Sequence, residues 1–220
     1  MAILTEEQIK RLYFSKIGGF PSAPIVKEVK EYKGESHLCV ACTQLDYPYS
    51  ERDKKRILNE WIDFLRTNTK ALKALHFNSR VPQALFDAAC CQENLEELRF
   101  KWGAYSDLSA LENLKSLKFL YIGSGAGVRE ITCLGKLQGL IVLYIENFKR
   151  IEDYSPIVAL DKLKQLVISG PILGYTPIKD LEFLHEMKSL VSIRLPNTTI
   201  RRKYSNEEID FIYTKFSNFR

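Results

Sequence analysis

Residues 117–122 read Leu-Lys-Phe-Leu-Tyr-Ile, and residues 140–145 read Leu-Ile-Val-Leu-Tyr-Ile. The shared phrase, L-x-x-L-x-(L/I/F), occurs six times. It begins at Leu72, Leu95, Leu117, Leu140, Leu163 and Leu190, so successive copies lie 23, 22, 23, 23 and 27 residues apart. Leucine follows the phrase: 6 leucines fall in residues 1–68 but 22 in residues 69–196, which marks the second stretch as the repeat region. A fixed period of roughly 20–50 residues is the mark of units too small to bury their own apolar faces, which must stack to share one core.

Within each copy the fourth and sixth positions are apolar and the residue between them is usually polar, the alternation of a short strand with one buried face. A second rhythm runs between the strands in steps of three: Leu108, Leu111, Leu114; Ile131, Leu134, Leu137; Ile157, Leu160; Leu181, Leu184, Met187. Steps of three suit a tight helical turn. The predicted fold is an α/β solenoid, a curved rod with a parallel sheet along its concave side and about six repeats.

Over residues 69–200 the chain resembles the leucine-rich repeat family, and its period of about 22 residues with I-x-x-L-x-x-L between strands resembles the short, internalin-like class. That family usually places Asn three residues beyond the last motif leucine. Here those positions hold Arg80, Gly103, Gly125, Phe148, Pro171 and Thr198, so the asparagine ladder is missing, while Asn147 and Asn197 stand one residue early. The resemblance is specific for fold and nearly silent on function.

Solenoid ends expose core and need caps. Residues 1–68 are assigned to an α+β N-terminal cap, 69–200 to the repeats and 201–220 to a C-terminal capping helix. In the first, Glu6–Phe14 reads as a helix, His37–Thr43 as a strand, and Ser50 as the start of a helix burying Ile57, Trp61 and Leu65. In the last, Ser205 with Glu208 makes a capping box before Ile209, Ile212 and Phe216. Val81-Pro82 is expected to open a helix running through Cys91.

The net charge of +5 divides as +1, +2 and +2 over residues 1–68, 69–196 and 197–220. No dense basic field exists, which argues against a nucleic-acid footprint. Two acids and two bases before any long apolar run in the first residues read against a secretory leader, and no apolar run approaches the ~20 residues of a membrane helix. Five cysteines, an odd number, predict free thiols and a cytoplasmic location.

A zinc site built from Cys39, Cys42, Cys90 and Cys91 is disfavoured, because a spacing of three in a strand points side chains to opposite faces and helix neighbours diverge. Gly123-Ser-Gly125-Ala-Gly127 reads as a turn, since it lacks the Lys-Ser/Thr of a phosphate loop. His37, His76 and His185 lie in different elements with no sequence logic joining them to a nucleophile. The chain is therefore read as non-enzymatic, with no catalytic residue, metal or cofactor.

If the strands stack in register, the third, fifth and seventh motif positions form columns on the concave face. These bring together Phe119, Tyr121, Val142, Tyr144 and Val167, flanked by Glu97, Arg99, Lys101, Glu146 and Arg194, with Trp102 at the rim. Aromatic anchors ringed by charge resemble a protein-binding hot spot. The expected partner is a protein, with the chain acting as an inhibitor or immunity protein against a toxin, or as a regulatory subunit or adaptor of an enzyme. An RNA-binding module that stacks bases on Tyr121, Tyr144 and Phe119 is the alternative from another class.

Overall fold

The computed structural model describes residues 23–216. Each repeat phrase forms a strand: β3 (Ala74–Phe77), β5 (Glu97–Phe100), β7 (Phe119–Ile122), β8 (Val142–Glu146), β9 (Gln165–Ser169) and β11 (Ser192–Arg194). All pair in parallel, and the partners follow the repeat: Glu97 with Phe119, Phe119 with Val142, Val142 with Gln165. Among the described residues the sheet has eight strands, not six, in the order β1-β2-β3-β5-β7-β8-β9-β11. The additional two are β1 (Ile25–Val26) and β2 (His37–Val40), and β2 is in register with β3 through Leu38 opposite Leu75. Their sequence carries no L-x-x-L phrase, so only pairing reveals that the sheet and core run unbroken across residue 69.

The steps of three become 3-10 turns at Ser109–Asn113, Thr132–Lys136 and Ser155–Ala159. Their hydrogen bonds close at i to i+3, as from the Leu111 N–H to the Leu108 carbonyl and from the Leu134 N–H to the Ile131 carbonyl. In that geometry residues three apart eclipse, which is why Leu108, Leu111 and Leu114 all enter the interior. The last repeat substitutes a short α3 (Phe183–Glu186) for the 3-10 turn.

Among the described residues two helices cover the convex side toward the N-terminal end. Helix α1 (Glu51–Thr67) starts with a capping box at Ser50 and Asp53 and buries Ile57, Trp61 and Leu65. The Trp61 indole N–H donates to the Lys27 carbonyl at 2.8 Å, pinning the segment that leads out of β1. Helix α2 (Gln83–Ala89) begins one residue past Pro82 and ends before Cys91. Val81 and Pro82 are not helical: as β4 (Val81–Pro82) they pair in parallel with β6 (Gly103–Ala104). At the far end, α4 (Asn206–Lys215) carries the expected box at Ser205 and Glu208 and buries Ile212, with Phe216 buried just beyond it. The helix expected at Glu6–Phe14 lies outside the described residues.

Aromatic rings stand where the asparagine ladder is missing. Phe77 stacks on Phe100 with centroids 5.4 Å apart, and Phe86 and Tyr105 pack against Phe100 at 4.8 and 5.6 Å. Phe148, which itself occupies one of those positions, is buried to 1% exposure. A β-carbon at Gly125 would lie 1.9 Å from its ring, so that glycine makes room for the aromatic corner. Gly123 is likewise a close approach, since a β-carbon there would meet the Lys101 carbonyl at 2.1 Å. The Gly123–Gly127 stretch is thus a packing feature. Asn197 does tie adjacent turns, donating from its side chain to the Pro171 carbonyl at 3.1 Å, and both Asn147 and Asn197 hold left-handed backbones at φ 62° and 54°.

The longer spacing before the last strand is taken up by an exposed loop after β9, followed by β10 (Thr176–Ile178), which pairs in parallel with β12 (Thr198–Ile200). No described helix is long and apolar enough to cross a membrane.

Candidate functional site

The register places the concave columns as the repeat implies: Cys39, His76, Arg99, Tyr121, Tyr144, Val167 and Arg194 form one row, and Ala74, Glu97, Phe119, Val142, Gln165 and Ser192 the next. Tyr121 and Tyr144 occur at the same repeat position on neighbouring strands, and their rings stack with centroids 4.5 Å apart and planes 9° from parallel. Arg99, one strand earlier, lies over the Tyr121 ring at 5.2 Å. The Tyr121 hydroxyl donates to Glu146 Oε2 at 2.6 Å. This is one ordered unit, Arg99, Tyr121, Tyr144 and Glu146, built from three successive strands.

Exposure separates the sequence-derived residues into two groups. Tyr121, Tyr144, Arg99, Glu146 and Trp102 are half-buried, and Arg194 and Lys101 are exposed. Phe119, Val142, Val167 and Glu97 are in the concave columns but are buried, at 4, 0, 2 and 2% exposure. They therefore present almost no surface, where the alternation of the strand alone predicts an open face. Trp102 sits at the rim, donating from its indole to Gln44 Oε1 at 2.8 Å, with Lys101 over its ring. With Lys27, Thr43, Asp46 and Asn78 it lines a polar recess of about 290 Å³. Phe148 belongs to the core.

Burial pushes the Tyr121 phenol above its ordinary value of 10.0; its bond to Glu146 and that carboxylate's charge add to the effect, while Arg99 opposes it. Burial likewise raises Tyr144, Tyr105 and Tyr154. A phenol whose folded value exceeds the unfolded one keeps its proton in the folded state. Its contribution to stability is complete below about pH 10 and is lost as pH climbs toward the folded value. Thermal stability is therefore expected to fall above about pH 10. In a tyrosinate absorbance titration, part of the 11 tyrosines should ionise only together with unfolding. Eleven phenols titrating in one step below the unfolding transition would contradict this.

Sequence reading missed one pair. His76 and Glu97 lie diagonally across β3 and β5, with Nε2 2.5 Å from Oε1, both nearly buried. Its only sequence signal is an offset of 21 residues, one repeat less two, which is the diagonal of a parallel sheet. Cys39 stands opposite His76 in the register. Burial, the largest influence on that thiol, raises its pKa, while the charges of Arg99 and Lys101 oppose the shift. Among the described residues no three His, Cys, Asp or Glu side chains are grouped to hold a metal.

The other thiols follow their faces. Cys42 is in the core, pushed up to about 12 by burial, Cys90 is raised by burial within the convex side, and Cys133 is pushed up to about 11. A thiol-specific disulfide reagent at pH 8 is expected to modify no more than two cysteines, Cys91 and Cys39, before denaturant is added. Rapid modification of all five would show that this packing is wrong.

A second missed feature is the loop after β9. Ile172, Leu173 and Tyr175 are 91, 89 and 68% exposed, and Gly174 between them has φ 104°. The sequence signal is the 27-residue spacing, four residues more than the preceding repeat, with the extra length filled by large apolar side chains.

No protein-family model matches the sequence, and no curated protein matches it either. Solved structures do resemble it. Internalin F from Listeria monocytogenes aligns over 70% of this chain and 49% of its own, at 23% identity and a TM-score of 0.52. Internalin C2 from the same organism aligns over 59% of this chain and 52% of its own, also at 23% identity, with a TM-score of 0.45. The chain thus spans about half the length of these proteins. The in-register parallel sheet, the stacked leucines and the overlap with internalin F establish that this chain has the leucine-rich repeat fold in its short-repeat, internalin-like form.

Proposed function

We propose that the chain acts without catalysis, by recognising another protein through the concave side of its sheet together with the loop that follows β9. The observation that carries this reading is the loop itself: three large apolar side chains, Ile172, Leu173 and Tyr175, stand in water within four residues. Exposed apolar clusters of this kind mark interaction sites. The loop leaves the sheet at Ser169, which pairs with Glu146 of the tyrosine unit, so the two features adjoin.

Size supports using both. Eight strands make seven steps of ~4.8 Å, and five residues at ~3.3 Å give a face of roughly 550 Å² in projection. A standard interface takes about 800 Å² from each partner. The sheet alone is too small, and the loop adds the missing area at its C-terminal edge.

The RNA reading has less support. Tyr121 has Arg99 over one face and Tyr144 on the other, so neither face is open for a base, and Glu146 adds negative charge beside them. Five free thiols fit a reducing cytoplasm. The finer forms are an inhibitor or immunity protein neutralising a toxin, and a regulatory subunit or adaptor of an enzyme. Capture from lysate of the native host separates them by the identity of the protein retained. Retention that is undiminished by aspartates at positions 172 and 173 and by alanines at 121 and 144 would end the proposal.

A further inference from the structure

Four neighbouring strands each contribute to the recess beside Trp102. Lys27 follows β1, Thr43, Gln44 and Asp46 follow β2, Asn78 and Ser79 follow β3, and Trp102 follows β5, so the cavity of about 290 Å³ opens at the carboxyl ends of these parallel strands. Its walls are tied together. The Thr43 N–H donates to the Ser79 hydroxyl at 3.2 Å, and the Thr43 hydroxyl donates to the Arg80 carbonyl. Gln44 Oε1 accepts both the Arg80 N–H and the Trp102 indole N–H, each at 2.8 Å. Because both of those partners are donors, the accepting atom is the oxygen, and the Gln44 amide nitrogen is the end left over. These two bonds also hold Gln44 in a left-handed backbone, at φ 55°.

Three more polar heads border the space and bond to no other described side chain: the Asp46 carboxylate, the Asn78 amide, and the Lys27 ammonium, which has the Tyr49 ring 5.7 Å away. One cation and one anion leave the lining with no net charge, and both are exposed, where a charge pair contributes little. Donors on Gln44, Asn78 and Lys27 stand beside acceptors on Asp46 and Asn78. Hydroxyl groups suit such a mixture, since each one donates and accepts at once. Trp102 supplies a flat apolar wall. Lys101 lies over its ring at 4.4 Å but does not line the cavity, so the ring meets the recess by the surface that Lys101 leaves uncovered. A sugar ring carries C–H groups on a face and hydroxyls around its edge, which matches an indole wall with polar groups about it. Small-molecule pockets run to roughly 300–1,000 Å³, so this one is of a size for a single ring. We infer that the recess binds one neutral pyranose, with its C–H face against Trp102 and its hydroxyls shared among Asp46, Asn78 and Gln44. The inference is independent of the concave-face reading under Proposed function.

Intrinsic fluorescence of the full chain reads this site, because the sequence has two tryptophans and the other, Trp61, is fully buried. The probes are the methyl glycosides of glucose, galactose and mannose, and N-acetylglucosamine. At least one of them is expected to change the Trp102 emission saturably, with a Kd on the order of 1 mM, the scale for a ligand of one small ring. Asp46→Ala, at an exposed position, should weaken that binding by about ten-fold or more, the effect of losing a hydrogen bond to a charged group, while melting as the parent does. Trp102→Ala, followed by titration calorimetry because the reporter is gone, should abolish it. No saturable response to any of the four up to about 100 mM, two decades above the expected Kd, would overturn the inference. Saturation by free glycine or glutamine, with none by the sugars, would also overturn it and assign the recess to a zwitterion held by Lys27 and Asp46. Sugar binding that both variants leave unchanged would overturn it too, since the site would then lie elsewhere on the protein.

Discussion

Phe100→Ala is expected to lower the stability of the folded chain by about 3–5 kcal/mol, the range for emptying a buried phenylalanine site. For a chain of this length that corresponds to a fall in Tm of roughly 6–20 °C. The ring is fully buried and touches Phe77 of the preceding strand, Phe86 of α2 and Tyr105 of the following turn. It links three successive units, and a solenoid is held by contacts between neighbours. The cavity also cannot close easily, because each facing ring is fixed by the strand, helix or turn that carries it. Calorimetry on the purified variant decides the matter; a change in Tm below about 2 °C would mean that these rings do not serve as the link between repeats.

Ile172→Asp with Leu173→Asp should behave in the opposite way. At 91 and 89% exposure neither side chain contributes to the core, so stability should stay within about 0.5 kcal/mol of the parent. Binding to the protein captured by the parent chain should weaken by at least about 100-fold, the expected consequence of removing two apolar anchors that are worth roughly 2 kcal/mol each. Titration calorimetry or surface-based kinetics with the identified partner reads this directly. Loss of stability would show that the loop packs back on the protein, and unchanged affinity would remove the loop from the interface.

Much of the architecture was legible because the repeat encodes it twice, once in strands with leucines at the fourth and sixth positions and once in turns with leucines every third residue. Both periodicities have one geometric solution: parallel strands in register and 3-10 turns whose eclipsed side chains meet them. The capping boxes at Ser50 and Ser205 were equally readable, since a cap is a local hydrogen-bond pattern within four residues. Val81-Pro82 does lead into the expected helix, with Pro82 as its N-cap, while the pairing of the same two residues with Gly103–Ala104, twenty-two residues away, has no local signal. Strands β1 and β2 were not counted among the repeats because they lack the phrase and join the sheet through pairing alone.

Sequence by itself determined which side chains share a row on the concave face, because a period of two along each strand and a period near twenty-two between strands leave the columns no other arrangement. Tertiary structure decided how much of each row meets solvent. Exposure depends on what lies above the face, and nothing in an alternation of apolar and polar residues records that. Both rows therefore held true, the one with Phe119 and Val142 and the one with Tyr121 and Tyr144, while burial took the first pair and left the stacked tyrosines half open.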